Sequence, residues 1–210
     1  MGGDMSKIVN GVYVGSYGNA ANEDYLEKFN ITHVLAVHNL SEEAHRKHKK
    51  TRVHKRITIS DINMENINKY FSECNDFIHE CRLSGGNCLI HCQVGISRSV
   101  SITCAYLMSV TTMNFRDTLL GVQGARQHAS PNPGFREQLV NFERTWLSEE
   151  RKRIKNKFGE SPFLEPDLQE MKNNMENALN KDKQPIMNKT VNTMDRLKDM
   201  LQDRRDPSSG

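Results

Sequence analysis

No apolar run in this 210-residue chain approaches the roughly 20 residues that a membrane-spanning helix needs. The first residues, Met1-Gly2-Gly3-Asp4, lack the apolar core of a secretory signal, so a chain made and kept in the cytosol is expected. There is no C-x-x-C pair and no histidine pair at ligand spacing beside the cysteines, which removes the usual zinc patterns. The cysteines number five (Cys74, Cys81, Cys88, Cys92 and Cys104), and an odd count in a cytosolic chain argues against a disulfide framework. A net charge of +3 is too small to imply nucleic acid as a partner. No internal repeat is present.

What is there suits one domain and a tail. Ile8 to Gly15 reads as a strand, a turn at Asn10-Gly11 and a second strand. Asn22 to Phe29 reads as a short helix, and Ile31 to Val37 as a buried strand. Arg56 to Ser60 alternates like another strand. A helix is expected over Glu65 to Leu83, because Ile67, Phe71, Cys74, Ile78 and Cys81 recur at intervals of three and four, and Gly85-Gly86 ends it. Cys88 to His91 is a short apolar strand, followed by a loop at Cys92 and a nearly apolar helix from Ser99 to Val110. Further helices are expected over Phe115 to Arg126 and from Phe135, the latter with Leu139, Phe142, Trp146 and Ile154 on one side. Pro131 to Gly134 reads as a turn. The alternation of strand and helix points to an α/β fold, with ligand chemistry at the carboxyl end of a strand. From Gly159 onward prolines, asparagines, lysines and glutamates dominate, so 159–210 reads as mostly disordered. Met194, Leu197 and Leu201 are the one candidate for a short helix there.

The segment His91-Cys92-Gln93-Val94-Gly95-Ile96-Ser97-Arg98-Ser99 carries the chemistry. Phosphate-ester hydrolysis through a cysteine needs a thiolate at neutral pH, a cradle for the phosphoryl oxygens and an acid for the leaving oxygen. Cys92 stands between a strand and a helix N-terminus, a setting that lowers a thiol pKa. Ser99 is placed to donate its hydroxyl to the sulfur, and His91 to brace the loop backbone. The amides of Gln93, Val94, Gly95, Ile96 and Ser97 form a candidate anion nest, with Gly95 supplying the backbone freedom of a tight curl. Arg98 offers a planar, two-pronged grip on phosphoryl oxygens. The bland alternative is a strand-to-helix turn that holds a buried cysteine, and that alternative is accepted for Cys74, Cys81 and Cys104.

These residues resemble the signature H-C-x-x-G-x-x-R-S of the dual-specificity protein phosphatases, most closely the small atypical members. Ala105-Tyr106-Leu107-Met108, Ser130-Pro131-Asn132 with Gly134-Phe135, and Ile8 with Gly11 to Gly15 resemble further family motifs. The resemblance covers about residues 5 to 148. It implies the protein tyrosine phosphatase-like fold: a central mixed, mostly parallel sheet flanked by helices, with the phosphate-binding loop between a strand and a helix. It implies hydrolysis of phosphotyrosine and phosphoserine/phosphothreonine through a phosphocysteine on Cys92, with no metal and no cofactor. It also implies the general acid, Asp61, about thirty residues upstream, with Glu65 as the fallback, and a bracing role for Asn132. Lipid phosphatases of the same superfamily carry lysines in the loop; Gln93, Val94, Ile96 and Ser97 are uncharged. Many relatives have Ala-Gly where this chain has Val94-Gly95, and valine is expected to narrow the pocket mouth.

Three smaller readings remain. Met1 to Ser6 fits M-G-x-x-x-[ST], the N-myristoylation pattern. A small branch of atypical members that includes the Jnk-stimulatory phosphatase starts this way, so Gly2 is a candidate for acylation and a membrane surface a candidate partner. The basic run Arg46 to Arg56 is either a second membrane contact, a steering patch for acidic phosphoproteins, a nuclear-import signal or a solvated loop. Cys88 is a candidate redox partner of Cys92, or a buried strand cysteine. Phosphorylated proteins of the mitogen-activated and stress-kinase pathways are the expected partners. The expected organisation is a flexible 1–4, a catalytic domain over 5–158 and the tail 159–210. A non-catalytic phosphoprotein-binding module is the competing reading; Cys92, Arg98 and Asp61 are all retained, which favours the enzyme.

Overall fold

The computed structural model describes residues 4–41 and 52–180. Its frame is a five-stranded sheet in the order β1-β2-β5-β3-β4, formed by β1 (Ser6–Val9), β2 (Val12–Gly15), β3 (Ile31–Val37), β4 (Val53–Ile57) and β5 (Asn87–His91). β1 and β2 pair antiparallel across the turn at Asn10-Gly11, and the other pairs are parallel. This is the mixed, mostly parallel sheet expected. β5 is the middle strand. Its last residue, His91, stands in register with Gly15 on one side and Ala36 on the other.

The two-residue period of the strands divides the side chains between two faces. Val12 and Val14, Leu35 and Val37, and Cys88 and Ile90 point to the larger core. Tyr13, Val34 and Leu89, one residue out of phase, join a smaller cluster with Leu26, under the helices α1 (Tyr17–Ala20) and α2 (Glu23–Lys28). The larger face packs α3 (Phe71–Leu83), α4 (Arg98–Val110), α5 (Phe115–Ala125), α6 (Pro133–Thr145) and α7 (Leu147–Phe158). All thirteen residues of α4 are buried, as its nearly apolar sequence requires. No described helix is long and apolar enough to cross a membrane.

Several boundaries differ from the sequence expectation. β4 begins at Val53 and ends at Ile57, because it pairs residue for residue with β3, which ends at Val37. The helix expected from Glu65 begins at Phe71, after a 3₁₀ turn over Asn68–Tyr70. Gln138 Oε1 takes the amides of Ile67 (2.9 Å) and Asn68 (3.2 Å) and so holds the preceding residues as a loop. α6 already starts at Pro133, with Asn132 as its N-cap and proline in the first turn, where its missing N–H costs nothing. The helix expected to continue through Trp146 breaks there: the break leaves Trp146 exposed and turns Leu147 inward.

The largest correction concerns the tail. Residues 164–180 form a helix, α8, that belongs to the folded unit. The boundary expected at 158/159 is therefore wrong for 159–180; the candidate helix at Met194 to Leu201 lies outside the described residues. α8 docks through few but specific contacts. Arg82 of α3 donates to both oxygens of Asp167, at 2.7 Å each, and both side chains are buried. The Arg82 guanidinium also lies 4.0 Å from the ring centre of Phe163. Gly121 and Gly124 of α5 allow a close approach: a Cβ on Gly121 would come within 2.5 Å of the Met171 side chain, and one on Gly124 would strike the Asn174 carbonyl. Asn174 in turn donates to Ile8 O at 2.9 Å, on the edge strand.

Breaking a buried ion pair from one side leaves a charge without compensation, at a cost of about 3–5 kcal/mol. Asp167→Ala is expected to lose stability of that order in urea unfolding and to expose 164–180 to limited proteolysis. A charge-free pair, Arg82→Met with Asp167→Leu, is expected to recover most of the loss.

Candidate active site

The loop of residues 92–97 joins the carboxyl end of β5 to the first turn of α4. Its curl closes at Gly95, which has φ +77°. A side chain there is excluded twice: by this left-handed backbone, and by Gly15 O and Arg126 Nη2, which would lie 2.5 and 2.6 Å from a Cβ. The loop's carbonyls are held from outside. Tyr17 N donates to Gln93 O (3.2 Å), Ser130 N to Ile96 O (2.8 Å), and Arg126 Nε to Gly95 O (2.7 Å). No cis peptide occurs among the described residues. In a trans peptide the N–H points opposite to the C=O. The amides of Val94, Ile96 and Ser97 are therefore turned toward the inside of the curl.

Cys92 sits at the floor of the curl, 1% exposed. Gly95 N donates to its sulfur at 3.1 Å and Ser99 Oγ at 3.4 Å. Burial alone raises a thiol pKa; here the Ser99 hydroxyl and amide, the Gly95 amide and the charge of Arg98 outweigh it, and the Cys92 thiol lies below its ordinary value. Cys74 and Cys104 are as deeply buried without such donors, and burial pushes both upward. Burial drives Cys88 up too, and its neighbour Cys81 adds to the shift. His91 is fully buried, with Nδ1 3.3 Å from Cys92 O. Its ring packs near Tyr17 and His38, with centroids 6.4 and 5.4 Å away.

Asp61 arrives from the loop after β4. Its Oδ1 accepts from Ser97 Oγ (2.7 Å) and from Asn132 Nδ2 (2.8 Å), and its Oδ2 lies 3.6 Å from Arg98 Nε. Asn132 links three parts: it accepts from Phe135 N as the cap of α6 (2.9 Å), its own amide donates to Ser97 Oγ (3.0 Å), and its side chain holds Asp61. Arg98 is 4% exposed. Its Nη1 donates to Ile59 O at 3.2 Å and lies 3.4 Å from Asn39 Oδ1, while Nε is buried and has no hydrogen-bond acceptor among the described residues. Glu65, the fallback acid, instead takes Ser60 N on its carboxylate (3.3 Å). Val94 stands at the rim, 47% exposed.

The structure thus brings His91, Cys92, Arg98, Ser99, Asp61 and Asn132 to one place. Gly2 lies outside the described residues, as do 46–51 of the basic run. The described end of that run is engaged by the fold: Arg52 with Glu23 (2.5 Å), Lys55 with Glu73 (2.8 Å), and Arg56 with Leu40 O. Sequence reasoning missed Arg126 and Tyr17 altogether, and marked Ser130 through a family motif without a role. Nothing in the local sequence reveals what they do, because they act through backbone carbonyls more than thirty residues away.

Residues 12–145 match the family described as dual specificity phosphatase, catalytic domain. The chain belongs to the dual-specificity protein phosphatases. It is 41% identical to dual specificity protein phosphatase 15 of Mus musculus, over 78% of this chain and 68% of that one. With dual specificity protein phosphatase 22 of Homo sapiens it shares 39% identity over 82% and 91%. Among solved structures it is similar to that of DUSP15, with TM-score 0.70 and 39% identity over 75% of this chain and 98% of that one. It is also similar to the human tyrosine phosphatase-like serine/threonine/tyrosine-interacting protein, with TM-score 0.63 and 31% identity over 68% and 97%. The chain is accordingly a protein phosphatase acting on phosphotyrosine and phosphoserine/phosphothreonine, an atypical member of the cysteine-based tyrosine phosphatase superfamily.

A thiol whose folded-state pKa is depressed contributes stability above its unfolded pKa of about 8.5, and that contribution is lost as pH falls through the folded value. The same shift controls reactivity. Iodoacetamide near pH 6.5 is expected to alkylate Cys92 before Cys74, Cys88 and Cys104, whose thiols burial pushes up, as mass spectrometry of the digested protein reads. Ser99→Ala is expected to move the midpoint of Cys92 alkylation to higher pH.

Proposed function

We propose that Cys92 is the nucleophile of this phosphatase, Arg98 and the amides of Gln93 to Ser97 its phosphate clamp, and Asp61 its general acid and base. The observation that carries this reading is the Cys92 thiol, held below its ordinary pKa by Ser99, Gly95 and Arg98 at the floor of an inward-facing amide curl. In the first step the thiolate attacks phosphorus in line. The phosphorus–oxygen bond to the leaving group breaks as the phosphorus–sulfur bond forms, and Asp61 gives its proton to the departing oxygen. In the second step water, losing a proton to Asp61, attacks the phosphocysteine and releases inorganic phosphate and the thiolate. The Nε of Arg98, buried with no hydrogen-bond acceptor and ion-paired with Asp61 at 3.6 Å, supports a grip on the phosphoryl oxygens, and a guanidinium provides two parallel donors for it. The Ser99 hydroxyl stabilises the sulfur as nucleophile and again as leaving group. Asn132 and Ser97 orient the Asp61 carboxylate, and His91 braces the Cys92 carbonyl.

Phosphorylated components of the mitogen-activated and stress-kinase pathways are the proposed substrates, supported by likeness to dual specificity protein phosphatase 22. The proposed location is the cytoplasm, at a membrane surface when Gly2 is acylated. The M-G-x-x-x-S pattern supports this, and so does the placement of Asp4, exposed two residues beyond Gly2. One acyl chain binds membranes only marginally, so exchange with the cytosol is part of the reading.

Cys92→Ser is expected to abolish hydrolysis of p-nitrophenyl phosphate and of phosphopeptides; an undiminished rate would refute the nucleophile. Asp61→Asn is expected to slow kcat by about 10²–10⁴-fold on phosphopeptides and far less on aryl phosphates, whose leaving groups need no proton. Labelling with an alkyne analogue of myristate is expected to mark the wild type and not Gly2→Ala; equal signals would dismiss acylation at Gly2.

A further inference from the structure

Arg126 follows the last turn of α5, and its side chain runs into the protein rather than out of it, leaving the residue 8% exposed. Its guanidinium has two ends. Nε donates to Gly95 O at 2.7 Å. Nη1 donates to Asp4 O at 2.9 Å and to Ser6 Oγ at 3.2 Å. One planar cation therefore joins the phosphate loop to the start of β1. The Asp4 end is itself fixed, since Tyr25 donates its hydroxyl to the Asp4 carboxylate at 2.6 Å.

The consequence for the loop follows from peptide geometry. Gly95 presents its N–H to the Cys92 sulfur and its C=O to Arg126. Holding that carbonyl outward turns the Ile96 N–H inward, because the two lie on opposite sides of a trans peptide. Gly95 is the residue with the fewest steric limits in the loop, so its peptide is the one that most needs an external hold. The neighbouring carbonyls of Gln93 and Ile96 are held by backbone amides; this one depends on a side chain. The guanidinium also carries a full charge near the thiolate, and the two attract.

We propose that Arg126 is a positioning residue of the phosphate loop, fixing the Gly95–Ile96 peptide for phosphate binding and tying that peptide to the N-terminal strand at Asp4 and Ser6. The N-terminal segment is then part of the active site's support. This rests on Cys92 being the nucleophile.

The test uses the full chain, p-nitrophenyl phosphate as substrate and inorganic phosphate as inhibitor. Arg126→Met is expected to lower kcat/KM by about ten- to a hundredfold, as loss of a buried charge-assisted contact does. It is also expected to weaken inhibition by phosphate and to raise the pH midpoint of Cys92 alkylation. Arg126→Lys, which keeps the charge but gathers its donors on one nitrogen, is expected to fall between Met and wild type. Ser6→Ala removes one of the two far contacts, leaving Asp4 O in place, and is expected to lower kcat/KM by about two- to fivefold in the wild type and not at all in the Arg126→Met background. Wild-type phosphate inhibition and alkylation in Arg126→Met would overturn the proposal, whatever its melting temperature. If Arg126→Met does not fold, unchanged values in both Arg126→Lys and Ser6→Ala overturn it. Cys92→Ser measured alongside separates the two readings: its retained activity defeats the nucleophile assignment, whereas its inactivity beside a wild-type-like Arg126→Met defeats only the role of Arg126.

Discussion

A loop of backbone amides binds an anion only if every N–H points inward, and an isolated chain has no reason to arrange itself so. Each amide turned inward sends a carbonyl outward, where it needs its own donor. In this protein the donors are Tyr17 N at the start of α1, Ser130 N before α6, and Arg126 after α5. The cradle is thus shaped by three segments that wrap it from outside. The rest of the architecture follows from delivering those segments to the carboxyl end of β5. The sheet order sets β5 between β2 and β3, so the loop emerges at the centre. The buried length of α4 then anchors the loop's far end in the core.

The same constraint explains the cysteines. Deep burial is common to all five, and by itself it makes a thiol hard to ionise. Cys92 and Cys81 both lie below their ordinary value, Cys81 through Cys88, Thr32 and the charge of Arg82; what sets Cys92 apart is that its donors, Ser99 and the Gly95 amide, belong to an anion-sized curl. Cys74 and Cys104 have none of these among the causes that set their pKa, and they remain ordinary core residues. The lowered pKa of Cys92 is therefore a property of the inward amides, Ser99 and Arg98, rather than of exposure. Asp61 extends this economy of parts. The Ser97 hydroxyl and the Asn132 side chain that hold it belong to the loop and to the cap of α6, so this carboxylate is registered against the cradle by the elements that shape it.

The helix at 164–180 shows how a polar segment becomes structural. Its attachment uses one buried arginine–aspartate pair, one ring under a guanidinium and two glycines on a facing helix. None of these produces the apolar stripe by which an amphipathic helix is read. Met171 is the buried apolar residue on the inner side of the helix, with Asp167 buried beside it. A composition argument sees asparagines, lysines and glutamates there and concludes disorder; the ion pair becomes visible only when α3 and α8 lie side by side. The helix also reaches the edge strand through Asn174 and Ile8 O, which places it behind the N-terminal segment that Arg126 ties to the loop.

The sequence alone determined whatever depends on near neighbours. The strands on either side of Asn10-Gly11, the apolar strand Ile31 to Val37, the apolar run of α4, and the spacing of Cys92, Gly95, Arg98 and Ser99 are local patterns, and strand, helix and loop stand where those patterns fall. Family likeness added Asp61 and Asn132, which no local rule singles out. Tertiary structure decided the rest. The start of α3 waits on Gln138, the end of β4 on its pairing with β3, and the break at Trp146 on whether Trp146 or Leu147 turns inward. Arg126, Arg82 and Asp167 act on partners 31, 85 and 85 positions away. A hydrogen bond or ion pair over such separations leaves no trace in spacing or periodicity, because it is created by the packing that brings its two ends together.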